Sequence, residues 1–77
     1  MTEFSVFTGK KLLSLLEKCG FIRSRQKGSH VILRHPDGRA TVVPLHPGET
    51  IGPGLLSKIL RDTDLSRKDL LKLLRKK

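Results

Sequence analysis

The sequence predicts an α+β domain: one helix, a three-stranded antiparallel sheet, a second long helix and a short C-terminal helix, with the long helices on one face of the sheet. Two observations carry this prediction. Apolar residues recur at helical spacing in Leu12, Leu15, Leu16 and Cys19, and again in Leu55, Leu56, Ile59 and Leu60, the i, i+3, i+4 pattern of a one-sided helix. Between these blocks lie three short strand-like segments, separated by Lys27-Gly28-Ser29 and Pro36-Asp37-Gly38, both of which read as turns.

Each element has its own signal. Residues 1–7 read as an N-terminal arm. Thr8 can cap a helix over about residues 9–19 through its hydroxyl, with Phe7 and Leu12 at the positions of a hydrophobic staple. Gly20 ends that helix where a left-handed residue is needed. Phe21 to Gln26 reads as the first strand, His30 to Arg34 as the second, and Arg39 to Leu45, rich in Thr and Val, as the third. With Asp37 and Gly38 as the two central turn residues, Pro36 pairs with Arg39, Leu33 faces Val42 and His30 faces Leu45. His30, Ile32 and Arg34 then share a face with Thr41, Val43 and Leu45, while Val31, Leu33, His35, Ala40, Val42 and Pro44 share the other. The core is expected on Val31, Leu33 and Val42, because the alternative buries Arg34 near mid-sheet without a partner. His30 is then accessible on the outer face.

A loop follows from Leu45 to Gly52, and Pro53 suits the first turn of the next helix, which ends near Asp62. Ser66 as cap, Asp69 at N3 and the Leu65/Leu70 pair predict the start of a last helix. Its buried side is expected on Leu70, Leu71, Leu73 and Leu74, and Arg75-Lys76-Lys77 forms a basic tail.

The bulk numbers bound the function. Seventy-seven residues make a single domain, and a chain this short buries only about 60% of its unfolded surface. A dinucleotide-binding fold or a barrel does not fit in it. No apolar run is long enough to span a membrane, and the N-terminus lacks the pattern of a secretory signal. Cys19 is the one cysteine, so no internal disulfide staples the thin core, which places the chain in the cytoplasm. Cys19 is expected to pack as a small hydrophobe rather than to act as a thiolate. Sixteen Lys and Arg against seven Asp and Glu give a net charge of +9 and a pI near 10.5, the electrostatic footprint of a nucleic-acid binder. With no Trp, no Tyr and three Phe, a base-stacking platform for single strands is not expected.

Six segments together resemble the HicA toxin family, the messenger-RNA interferases of HicA–HicB toxin–antitoxin pairs. They are Thr8-Gly9-Lys10-Lys11-Leu12, Cys19-Gly20-Phe21, Gln26-Lys27-Gly28-Ser29-His30, Arg34-His35-Pro36-Asp37-Gly38-Arg39, Val43-Pro44-Leu45-His46 and Leu60-Arg61-Asp62-Thr63-Asp64-Leu65-Ser66. Each is weak alone; their order and spacing over about residues 8–74 are specific. The resemblance implies a double-stranded-RNA-binding-domain-like α-β-β-β-α fold, RNA cleavage with His30 as the catalytic residue, and neutralisation by a HicB-type antitoxin. Thr8 replaces the family's usual serine, and Asp62-Thr63-Asp64 is more acidic than its usual turn.

The chemistry agrees with that implication. Cutting RNA without a metal needs a base for the 2′-OH proton and an acid for the leaving 5′-oxygen, and a histidine can serve either role near neutral pH. His30 is expected to be one of them. Lys27, Arg23, Arg25 and Arg34 are expected to hold the phosphate backbone, with Gly28 and Ser29 allowing close approach and offering backbone N–H groups. Lys27 or an arginine is the candidate for the second function. A zinc site from His30, His35 and His46 lacks a Cys or carboxylate at ligand spacing, so neither metal nor small-molecule cofactor is expected. The expected partners are messenger RNA and the antitoxin, which would dock on the half-apolar outer face of Ile32, Val43 and Leu45. The alternative is a non-catalytic module that reads the shape and phosphates of double-stranded RNA.

Overall fold

A computed structural model describes residues 7–75 of the chain, and side chains as far as residue 73. Its elements run α1 (Gly9–Lys18), β1 (Ile22–Lys27), β2 (His30–Arg34), β3 (Ala40–Pro44), α2 (Pro53–Thr63) and α3 (Arg67–Arg75). The strands form one antiparallel sheet in the order β1-β2-β3. This is the α+β, α-β-β-β-α arrangement expected, with α3 appended. Residues 1–6 of the expected arm, the side chain of Leu74 and residues 76–77 of the tail lie outside the described residues.

The helix signals act as read. The Thr8 hydroxyl accepts from Lys11 N–H at 3.1 Å, Phe7 and Leu12 are both buried, and Gly20 has φ +100° just after α1. Ser66 and Asp69 cap α3 reciprocally: Ser66 N–H donates to the Asp69 carboxylate at 2.9 Å and Asp69 N–H to the Ser66 hydroxyl at 3.1 Å. Pro53 opens α2, and Asp64 closes it in the left-handed conformation. Leu12, Leu13, Leu15 and Leu16 of α1 meet Leu56 and Ile59 of α2, Leu70 of α3 and the inner face of the sheet in one core. Cys19 packs at its margin, and burial pushes its thiol pKa up. At neutral pH it is a protonated, packed thiol.

One prediction is corrected. β2 pairs with β3 through His30↔Pro44, Leu33↔Thr41 and Arg34↔Ala40, one residue away from the expected Leu33–Val42 register. The second hairpin has a three-residue loop, not a two-residue one. His35 C=O accepts from Gly38 N–H at 2.9 Å, and His35 N–H donates to Arg39 C=O at 2.8 Å. Pro36 and Asp37 form the centre of the turn, and Gly38, at φ +103°, returns the chain to the strand. A one-residue slip exchanges the faces of a whole strand. Thr41 and Val43 are therefore buried, and Val42 is 40% exposed. Buried Thr41 is tolerated because its hydroxyl donates to Asp62 at 3.0 Å. β2 itself is oriented as expected, with Val31 and Leu33 buried and His30 and Arg34 exposed. The apolar part of the outer face is thus Ile22, Ile32 and Val42 rather than Ile32, Val43 and Leu45.

β1 is exposed along its whole length. The core lies under β2 and β3, and β1 is an edge strand whose Arg and Lys residues discourage pairing with a further strand.

Candidate functional site

His30 opens β2 directly after a two-residue hairpin loop, since Lys27 is its partner across the turn. Gly28 has φ +58° and Ser29 does not have a positive φ, the II′ pattern that matches strand twist. A Cβ at Gly28 would meet nothing within 4 Å, so the glycine serves the backbone conformation and leaves the turn open to solvent. The Gln26 amide donates to Gly28 C=O at 3.0 Å, and Leu45 N–H donates to Ser29 C=O at 2.6 Å. The second bond ties the end of β3 to this turn.

The register sorts the candidate cations. Residues paired across neighbouring strands put their side chains on one face. Lys27 is paired with His30, Arg25 with Ile32, and Arg34 lies two residues beyond Ile32 on β2. Lys27, Arg25, Arg34 and His30 therefore share the open face, and none of the four has an ion pair or a side-chain hydrogen bond among the described residues. Arg23 does not join them. The pairing shifts between Arg23 and Arg25, so Ser24 is the extra residue of a β-bulge. The bulge turns Arg23 to the other face, where its guanidinium contacts Glu17 of α1 at 2.8 Å. A regular strand would have kept Arg23 in line with Arg25 and Lys27.

Sequence reasoning missed the position of His46. Its ring stands perpendicular to that of His30, with centroids 6.2 Å apart. Two tight links hold it there. Leu45 is bonded to Ser29 as described, and Glu49 N–H donates back to His46 C=O at 3.0 Å. His46-Pro47-Gly48-Glu49 is a turn with Pro at the second position and Gly48 at φ +78° in the third, the type II signature. That Pro-Gly pair was the signal for a rigid loop; its proximity to His30 follows only from the register. The far end of the loop is fastened by Ile51 N–H to Phe7 C=O at 2.7 Å. Gly9 is needed for this packing, because a Cβ there would lie 2.0 Å from Pro44 oxygen.

Two recesses meet at His46. One, of about 280 Å³, is lined by His30, Pro44, His46, Glu49 and Leu55 among others. The other, of about 530 Å³, is lined by Lys10, Leu13, Arg23, Leu45 and His46 among others. Lys10 and Arg23 thus bring positive charge to the second recess, and Lys27 brings it to the side of His30.

His35 is apart from this group. Its Nε2 lies 3.2 Å from Cys19 C=O, an acceptor, so Nε2 carries the hydrogen. Its Nδ1 is engaged by Asp37, 3.2 Å from the Asp37 backbone nitrogen and 3.0 Å from its carboxylate, and its ring packs edge-on to Phe21 at 4.9 Å. His35 has no free nitrogen to offer His30 and His46. Of the carboxylates, Asp62 binds Lys58 and Thr41, and Asp69 caps α3. Among the described residues no helix is long and apolar enough to cross a membrane.

A family model described as the HicA toxin of bacterial toxin–antitoxin matches residues 9–65 of the 77. The matched span holds α1, the whole sheet, α2 and the recess lined by His30 and His46. No curated protein matches the chain.

Proposed function

The chain belongs to the HicA toxin family, and on that premise we propose that this toxin of a toxin–antitoxin pair is an endoribonuclease that cuts messenger RNA by metal-independent acid–base catalysis at His30. The observation that carries the reading is an exposed histidine on an open face that carries unpaired cations: His30, with Lys27 beside it and Arg25 and Arg34 further along the same face, and no protein partner for their charge among the described residues. Unpaired cations on one face are what a phosphate backbone needs. A histidine among them can move a proton, a contribution of ~10²–10⁴-fold.

Lys27, Arg25 and Arg34 hold the strand of RNA across the open face. Gly28 and Ser29 let the backbone approach the turn. Arg23 acts from the other side of the bulge, in the recess it shares with Lys10 and His46. A HicB-type antitoxin silences the toxin by covering His30 and the apolar residues of the same face, Ile22, Ile32 and Val42. The toxin works where its message is, in the cytoplasm.

The test is degradation of a labelled transcript in EDTA by the wild type and by His30→Ala. The reading expects cutting by the first and not by the second, with RNA affinity retained. Binding without cutting by the wild type would instead favour a module that only recognises double-stranded RNA. Co-expression with the adjacent reading frame tests the antitoxin, with relief of growth arrest as the expected result.

A further inference from the structure

We propose that His46 is the second proton-transfer group, acting opposite His30 on the same phosphodiester. The inference rests on the ribonuclease reading of His30 and extends it to a residue that sequence spacing alone leaves in a loop.

Three observations point to His46. Its ring is 6.2 Å from that of His30, centroid to centroid, and perpendicular to it. No hydrogen bond links the two rings, so each keeps its nitrogens for a ligand. Both line one recess of about 280 Å³, just under the ~300–1,000 Å³ of sites for drug-sized ligands and suited to a phosphate with its sugar. Acid–base catalysis needs each group within ~2.6–3.2 Å of the oxygen it serves, and two rings at this spacing can flank one phosphate. The placement is also rigid. The Ser29–Leu45 bond and the type II turn fix the backbone on both sides of His46, which limits the loss of geometry that a loop residue otherwise suffers.

The alternatives are weaker. Lys27 is adjacent to His30, but an ammonium carries donors and no acceptor, so it serves better as a fixed charge. Glu49 lines the same recess, and near an anionic phosphate its charge is repulsive. The groups that face the pair are Lys27 from β1, Glu49 from the loop, and Lys10 and Arg23 from the recess behind His46.

The step balances without water or metal. One imidazole takes the 2′-OH proton, and the 2′-oxygen forms a bond to phosphorus. The bond from phosphorus to the 5′-oxygen breaks, and the other imidazolium gives its proton to that oxygen. The products are a 2′,3′-cyclic phosphate and a 5′-hydroxyl.

The test uses the full chain, a short RNA and its analogue with sulfur replacing the bridging 5′-oxygen at the cut. A thiolate leaves without an acid, so the analogue repairs the loss of the acid and of no other group. His46→Ala is expected to fold, since the side chain is exposed, to bind RNA as the wild type does, and to lose ~10²–10⁴-fold in cleavage rate. The wild-type pH–rate profile is expected to be a bell, and each alanine variant, at His30 or His46, is expected to lose a different limb. The sulfur analogue restores one variant and not the other. Unchanged cleavage by His46→Ala, or an equal response of both variants to the analogue, overturns the proposal and leaves the His30 reading intact. Failure of the wild type to cut removes both.

Discussion

The two ends of the sheet carry a histidine each, and they differ in what is left unsatisfied. At the β2–β3 turn, His35 uses both ring nitrogens, one on Cys19 C=O and one on Asp37. There Arg39 pairs with Asp37, bonds Thr63 C=O and stacks on Phe21 at 5.1 Å. At the β1–β2 turn, the rings of His30 and His46 face each other and neither makes a side-chain hydrogen bond among the described residues. Lys27 beside them and Arg25 further along the face have no carboxylate partner among the described residues, and neither has Arg34 at the other end of β2. Similar residue types thus build a closed end, whose polar groups stabilise the fold, and an open end, whose polar groups await a ligand. Satisfaction of hydrogen bonds, not residue identity, separates the two histidines.

Two glycines, Gly20 after α1 against His35 and Gly28 in the β1–β2 turn, give the largest expected contrast. Gly20 has φ +100° and its missing Cβ would lie 2.9 Å from His35 Nε2, so Gly20→Ala meets both strain and a side chain it must displace. Gly28 has φ +58° and open space, so Gly28→Ala meets strain alone, about 1–2 kcal/mol. Urea denaturation should show a greater loss for Gly20→Ala; equal losses would mean the closed end is looser than described.

His35→Ala should cost about 1–3 kcal/mol, the penalty for leaving the part-buried Cys19 C=O unmatched and for losing the ring's packing on Phe21. His30→Ala should stay within the ±0.5 kcal/mol of ordinary surface changes. Thermal melts of the two proteins measure the difference directly, and a larger loss for His30→Ala would reverse the assignment of the ends.

Acid should act on the closed end. The Arg39 backbone N–H, and then its guanidinium, hold the Asp37 pKa below its ordinary value. The unfolded carboxyl has a pKa of ~3.9. The stabilising contribution of Asp37 is therefore complete above about that pH and is lost as pH falls through the depressed folded value. Asp62 and Asp69 are shifted in the same direction, first by the hydrogen bond from Lys58 and by the backbone N–H of Ser66 respectively. Asp37→Asn should flatten the fall in stability below pH ~4 only in part, as read by denaturation at a series of pH values.

The smallest effect is at the open end. Lys27→Ala should leave stability unchanged and lower the slope of log affinity against log salt by about 0.7–0.9, the share of one phosphate contact. An unchanged slope would mean that RNA does not cross the face beside His30.

Much of the fold was legible in the sequence because its signals are local. The Thr8 cap, the Ser66/Asp69 box and the glycine after α1 each act within a few residues, and each does what its residue type dictates. Register was not legible to the same degree. Pro36-Asp37-Gly38 supports a two-residue or a three-residue loop, and the choice moved Val43 into the core and Val42 out of it. The exposure of His30 was legible, since β2 keeps its faces under either register. The separation of Arg23 from Arg25 was not, because nothing in Arg23-Ser24-Arg25 announces a bulge. The meeting of His30 with His46 depends on the register and on one bond between two turns, Leu45 to Ser29, so it is visible only in three dimensions.

The most direct measurement of the contrast between the ends is cleavage of one labelled transcript, in EDTA, by His30→Ala and His35→Ala at equal concentrations of folded protein. The open-end account predicts that His35→Ala cuts at the wild-type rate per folded molecule while His30→Ala is slower by ~10²–10⁴-fold. Wild-type cutting by His30→Ala would contradict it.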